Sequence, residues 1–336
     1  MIRKRATLRD VARLAGVSKA TAARVVNGDN DIVREQTRER VMNAVQQLGY
    51  ERHAVAGSLR SEHTYMVALS IPDITNPFWP EVARGVQDTL EQSGYTVVMM
   101  NNDWDAAREQ KHLRKMRQNQ FDGLIINPTG IVNADLLEMT IPVILLASGE
   151  SYEDFDTVSS DSAQAGWLAM THLIELGHRR IGLISGPLRR RKMHTHHDTY
   201  VKACREYGLS LADELITQTA FTQEGGYLAM QQLLALPQPP TAVFAVNDII
   251  ALGALRAAQL AGLHVPQDMS IIGMDDIFAA MTSNPPLTTI AKPKYAIGVT
   301  AARYLLARIE GADDIPPQHT LLSCSLVQRS STASPK

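Results

Sequence analysis

Apolar positions at the start of the chain recur at helical spacing. Leu8, Val11, Ala12 and Ala15 share one face, Thr7 stands where an N-cap belongs with Asp10 three residues on, and Gly16 supplies a tight turn. Ser18 can cap a second helix from Lys19 to about Asn27, with Ala22, Val25 and Val26 turned toward the first. A third runs from about Glu35 to Leu48 on a Val41, Ala44, Val45 and Leu48 stripe and stops at Gly49. Residues 51–63 carry no strand pattern. From Tyr65 the period changes. Apolar runs YMVALSI, YTVVMM, FDGLIIN and PVILLA alternate with helices over Pro80–Gln92, Asp105–Gln120 and Asn133–Met139. The scheme restarts after Asp161: helix Ala163–Leu176, strand RIGLIS, helices Thr199–Tyr207 and Glu224–Ala235, strand TAVFAV, helix Ile249–Ala261, strand SIIGM, helix Pro293–Glu310 and strand LLSCSLV. Strands separated by helices in this way predict parallel α/β sheets, here in two successive sets. The Pro/Ser-rich end, Ser330–Lys336, reads as disordered.

Charge sharpens the division. The net charge of the 336 residues is −2, yet Met1–Glu62 alone is +5 and the remainder −7. A basic module on an acidic body suits a small domain that meets phosphates and a larger one that does not. No run of about 20 apolar residues is long enough to span a membrane, and the N-terminus has no apolar signal core, so a cytoplasmic location is expected. Cys204 and Cys324 match no metal or redox spacing.

The second short helix leaves Lys19, Ala20, Ala23, Arg24 and Asn27 facing out. Basic and amide side chains beside small ones fit a major groove. Arg24 and Lys19 are expected to read base edges with Ala20 in close approach. Ser18, Thr21 and Asn27 would hold phosphates, with Thr7 at the same end. A helical hairpin with a merely solvated basic face is the plainer alternative.

Ligands of open α/β sheets bind beyond the carboxyl ends of the strands. The residues there are Asp73, Asn76, Phe78 and Trp79; Asn101, Asn102 and Asp103; Asn127 and Thr129; Asp161; Phe221; Asn247 and Asp248; and Asp275 and Asp276. Carboxylates and amides that pair with hydroxyls, beside aromatic rings that stack on a sugar face, suit a carbohydrate. Each Asn or Asp could equally cap a turn or helix, and Trp79 could equally be core. The run from Arg189 to Asp198, with His194, His196 and His197, admits three readings: a solvated basic loop, a subsite for an anionic effector, or a metal site. The last lacks a partnered acidic or cysteine motif, and no metal or cofactor is expected. Neither GxGxxG nor GxxxxGK[ST] follows any strand, and no Ser-His-Asp constellation stands out, so an enzyme is not expected.

The segments VARLAGVSKAT, RVVNG, TRERV and LGY, followed in order by IPDITNPFW, HLIELGHRRIGLISGP, PTAVFAVNDIIALGALRAAQLAGLHVPQDMSIIGMDD and PPLTTI, resemble the lactose-repressor (LacI/GalR) family from Thr7 to about Ser331. The resemblance implies an all-α helix-turn-helix headpiece (1–50) and a hinge (51–63). It further implies a periplasmic-binding-protein-like core of two parallel-sheet lobes, 64–161 plus 292–318 and 162–291 plus 319–330, with a tail over 331–336 and crossings near Asp161, Ala291 and His319. It implies a homodimeric regulator, most simply a repressor, that binds a palindromic double-stranded operator and answers a sugar, sugar acid or sugar phosphate. Phe78, Trp79, Asp161, Phe221, Asn247 and Asp275 match its effector pocket, and Leu59 matches the hinge leucine that wedges into the minor groove, beside Ala56.

The chain departs from the family in three places. Arg52-His53 and Gly57 stand in the hinge, and Gly in a helix costs about 1 kcal/mol relative to Ala. Ala22-Ala23 replaces Val-Ser. His196 or His197 stands where the family has a ligand-binding arginine. A periplasmic-type sugar-binding protein without a regulatory role is the alternative function, opposed by the headpiece.

Overall fold

The computed structural model describes residues 6–28, 33–50, 63–148, 152–187, 191–312 and 314–336, with backbone alone for 191–194. The arm Arg3-Lys4-Arg5, the arginines at 189 and 190, and the hinge expectations for Arg52, His53, Ala56, Gly57 and Leu59 lie outside these residues. The chain divides into two compact units, Met1–Thr64 and Tyr65–Lys336.

In the first unit, α1 (Leu8–Ala15), α2 (Lys19–Asn27) and α3 (Glu35–Leu48) pack around Val11, Ala12, Ala15, Ala22, Val25, Val41 and Ala44. Thr7 and Asp10 form a reciprocal capping box, which satisfies two of the amide donors that a helix N-terminus otherwise leaves open. Gly16 closes α1 at φ 65, a left-handed conformation that costs glycine nothing.

The second unit holds two six-stranded sheets, in the orders β11-β5-β4-β3-β1-β2 and β12-β10-β9-β8-β6-β7. The first contains β1 (Met66–Ile71), β2 (Thr96–Asn101), β3 (Gly123–Ile126), β4 (Val143–Leu145), β5 (Asp156–Ser160) and β11 (His319–Leu322). The second contains β6 (Ile181–Ser185), β7 (Ile216–Gln218), β8 (Ala242–Ala245), β9 (Ser270–Asp275), β10 (Thr288–Ala291) and β12 (Ser325–Val327). Every strand pairing is parallel except β10 with β12. The helices are α4 (Phe78–Glu91), α5 (Ala106–Gln118), α6 (Asn133–Leu137), α7 (Ser162–Glu175), α8 (Arg191–Glu206), α9 (Gln223–Leu234), α10 (Asp248–Leu260), α11 (Phe278–Thr282) and α12 (Lys294–Ile309). Among the described residues, no helix is long and apolar enough to cross a membrane.

The chain passes between the lobes after β5, after β10 and between β11 and β12. The third passage lies near Ser323-Cys324, later than the His319 boundary, because His319–Leu322 pairs with β5 in the first sheet. The apolar run LLSCSLV concealed a break, since one strand finishes in each lobe. The Arg308 guanidinium grips the buried Asp156 carboxylate at 2.7 and 3.0 Å, tying α12 back to β5.

The C-terminal residues are not disordered as their composition suggested. Ser331 is fully buried, donates from Oγ to Ile271 O and accepts the Thr288 N–H, while the Ile271 N–H donates to Ser331 O at 2.8 Å. Thr332 and Ala333 bond His172 and His178. Backbone groups of β9 and β10 would otherwise be left without partners, and the tail satisfies them. The expectation failed because composition does not register an unfilled hydrogen-bonding edge.

Each lobe brings two helices close at glycines. A Cβ on Gly253 of α10 would run into the Gln223 carbonyl at the start of α9, and one on Gly298 of α12 would run into the Val82 carbonyl of α4. Gly253→Ala must push backbone from backbone and is expected to cost about 1–3 kcal/mol, the usual range for overpacking. Denaturant unfolding checks this; an unchanged midpoint would show that α9 and α10 can part freely.

Candidate functional site

Two groups of side chains stand out, one in each unit. On α2, Ala22 and Val25 are buried while Lys19, Ala20, Arg24 and Asn27 are exposed and Ala23 is half-buried. Ser18 Oγ accepts the Thr21 N–H at 3.0 Å and lies 2.8 Å from Thr21 Oγ1. The two hydroxyls share one hydrogen bond and retain one further hydrogen to give. Thr7 is occupied by Asp10, donating to it from both N and Oγ1. The result is a short helix with a basic, small-residue face and hydroxyls at its N-terminal end.

The second group lies where the strands of the two lobes end. Most amides there build loops. Asp73 accepts from Thr75 N and Oγ1, and Asn76 Oδ1 accepts the Phe78 N–H at 3.0 Å. Asn101 Oδ1 takes the Ile74 N–H, Asn127 donates to Leu146 O, and Asn102 Oδ1 takes the Trp104 N–H. Asp161 caps α7 through Gln164 N, and Asn247 caps α10 through Ile250 N, both at 2.8 Å. Trp79 is 7% exposed and belongs to the first-lobe core, its ring meeting Phe78 edge-on at 4.9 Å. Phe78 is half-buried, with Lys292 Nζ 5.6 Å from its ring centre.

The charged centre is Asp275. Its side chain is 6% exposed and pairs with Lys292 at 2.9 Å. Burial pushes its carboxyl up from the ordinary value and the Lys292 charge opposes that. The backbone here is strained, with Asp275 at φ 118 and Asp276 at φ 56. Lys294 holds it by donating to the carbonyls of both residues at 2.7 Å, and Arg329 pairs with Asp276. Asp248, fully buried, accepts the Ile277 N–H and the Thr289 hydroxyl, and burial, then the nearby Asp275, raises its carboxyl to about 7. Asp248 therefore shapes the loop that presents Asp275.

His196 is 3% exposed, and its Nδ1 has no hydrogen-bond partner. Burial, with the Lys292 charge adding to it, pushes the imidazole down to about 3, so the ring is neutral. It lies within α8, which begins at Arg191, well before the helix start expected at Thr199. Among the described residues no cluster of three His, Cys, Asp or Glu could hold a metal.

Phe221 stacks on Trp104, ring centres 5.0 Å apart and planes at 27°. Trp104, Lys292 and Lys294 escaped the sequence reading. Lys292 and Lys294 follow β10 at its carboxyl end, so treating PPLTTIA as a strand like the others would have found them. Trp104 is one residue beyond Asp103, hidden by its place at a helix start.

The comparisons agree with this division. Residues 7–53 match bacterial regulatory proteins, lacI family, and residues 170–332 match the periplasmic binding protein-like domain. The chain is 39% identical over 309 residues to the HTH-type transcriptional repressor PurR of Erwinia tasmaniensis, covering 90% of each. Among solved structures, the Lac repressor dimer bound to operator and the anti-inducer ONPF superposes with a TM-score of 0.87 at 28% identity, over 98% of this chain and all of that one. A LacI family transcriptional regulator from Enterococcus faecium with bound ribose gives 0.72 at 31% identity, over 81% of this chain and all of that one.

An unfolded imidazole takes its proton near 6.5, whereas folded His196 takes it only at about 3. Between those values the unfolded state binds more protons, so stability falls as pH drops through this window, by at most about 1.4 kcal/mol per unit. His196→Met is expected to lose less stability than the wild type between pH 6.5 and 4.5 in denaturant titrations. Equal losses would show that the ring is not buried neutral.

Proposed function

The chain belongs to the lacI family of bacterial regulatory proteins and is a transcriptional repressor rather than an enzyme, and we propose that its α2 face reads operator DNA while its interlobe cleft binds an uncharged sugar. The observation that carries the DNA reading is the exposed set Lys19, Ala20, Arg24 and Asn27 beside buried Ala22 and Val25. Arg24 and Lys19 meet base edges, Ala20 lets the helix approach, and Ser18, Thr21 and Asn27 contact phosphates. Two copies of the chain place two headpieces on a palindrome, a reading supported by the likeness to the Lac repressor, a dimer bound to operator. The protein works in the cytoplasm.

Three features support an uncharged sugar over a sugar acid or phosphate. Asp275 and Lys292 neutralise one another. His196, one of the two histidines that stand where the family resemblance places an arginine, is neutral. Phe78, Phe221 and Trp104 supply ring faces for C–H surfaces. Asp275 would accept two sugar hydroxyls and Lys292 donate to a third. Asp161 and Asn247 have one side-chain oxygen or amide beyond their caps for the same ligand, and Asp73, Asn76 and Trp79 act behind it by shaping the loop that carries Phe78.

DNA selected from a random library by the full-length protein tests the first reading. Arg24→Ala should weaken binding to the selected sequence by about 1–3 kcal/mol and relax preference at one base pair; unaltered affinity and preference would place base recognition elsewhere. For the cleft, Asp275→Ala should abolish the shift in operator affinity caused by a sugar found in a thermal-shift screen, while affinity without sugar stays near the wild-type value. A full response in this variant would place ligand recognition away from Asp275.

A further inference from the structure

The two lobes meet through an aromatic pair that neither the DNA face nor the charged centre explains. Trp104 follows β2 and Phe221 follows β7, the outermost strands of the first and second sheets. The passages between the lobes leave from β5, β10 and β11, at or next to the opposite ends of the same sheets. The stacked rings therefore lie on the side of the cleft away from all three covalent connections. Strands are spaced about 4.8 Å apart, so β2 lies about 20 Å from β5. A lobe rotation of about 10° on that lever parts the rings by about 3.5 Å, enough to take a pair at 5.0 Å out of the range in which aromatic rings attract.

The Trp104 side is built for the purpose. Asp103 and Trp104 both have positive φ, 51 and 61, which non-glycine residues adopt only where surrounding bonds hold them. The Trp104 N–H donates to Asn102 Oδ1 at 2.9 Å and to Pro72 O at 3.2 Å. Asn102 is fully buried, its amide donating to Glu109 and its Oδ1 also accepting from Thr129. Glu109, also fully buried, accepts the amides of Thr129, Gly130 and Ile131. A buried carboxylate thus fixes two loops together and aims the indole. On the other side Phe221 precedes Thr222, the N-cap of α9, so its ring moves with the second lobe.

We propose that Trp104 and Phe221 form an aromatic clasp that holds the unliganded lobes together, and that Trp104 is a positioning residue setting the lobe angle from which the effector response starts. The clasp rests on the cleft reading above in one respect: Phe221 serves both the clasp and the ligand, so a sugar stacking on Phe221 acts directly on the lobe angle. At the strength of ordinary aromatic pairs, losing the clasp lowers the ratio of clasped to parted lobes roughly threefold to tenfold.

The test uses unliganded full-length protein with spin labels at Arg114→Cys on α5 and Glu206→Cys on α8, one exposed site on each lobe, diluted with unlabelled chain. Pulsed dipolar distances report the lobe angle. Trp104→Ala and Phe221→Ala should each shift weight to longer distances, the double variant should go no further than either single one, and Trp104→Phe should keep the wild-type distribution. Unchanged distances in Trp104→Ala, or effects of the two single variants that add in the double, would overturn the clasp. Because no DNA or sugar is present, that outcome leaves the repressor reading to its own selection experiment, and a failed selection leaves this test intact.

Discussion

A carboxylate buried at the end of β9 organises the core. Asp275 sits at φ 118 with its side chain 6% exposed, a position no isolated charge would tolerate. Lys292 neutralises it, Lys294 ties down the carbonyls of Asp275 and Asp276, Arg329 holds the Asp276 side chain, and Asp248 anchors the next amide. These partners come from both sides of the β10 crossing and from the end of the chain. The lobe boundary, the C-terminal tail and the proposed ligand centre are therefore one construction. Removing one member of a buried pair leaves the other charge uncompensated, which costs more than the pair itself contributes.

The first unit obeys a simpler rule. Its three helices are short, and short helices are marginal alone. Packing around Val11, Ala22 and Val41, with the Thr7–Asp10 capping box and the Ser18 cap, fixes them in one arrangement. Small residues on the outer side of α2, Ala20 and Ala23, suit the close approach to DNA proposed for that face.

Much of this was legible beforehand. Helical spacing of Leu8, Val11, Ala12 and Ala15, and the switch at Tyr65 to strands separated by helices, follow from side-chain periodicity, which survives in any environment. The candidate site was legible only in part. Asp275 and Phe221 stand at strand ends as expected, but Asn76 gives its side chain to its own turn, Asn101, Asn102 and Asn127 tie neighbouring loops together, and Trp79 packs into the core. Asparagine at a strand end satisfies backbone before ligand, and one sequence cannot tell the two uses apart. The Lys292–Asp275 and Trp104–Phe221 partnerships join residues far apart in the chain, and pairing of that kind leaves no periodic trace.

Ligand in the cleft and operator on α2 are, in the function proposed, coupled through one conformational equilibrium, and coupling of that kind is reciprocal. The most direct measurement is the dissociation constant of an uncharged sugar by titration calorimetry, with and without saturating operator DNA, beside the operator's own dissociation constant with and without sugar. The account predicts the same factor, different from one, in both comparisons. A sugar affinity that is indifferent to operator would contradict it.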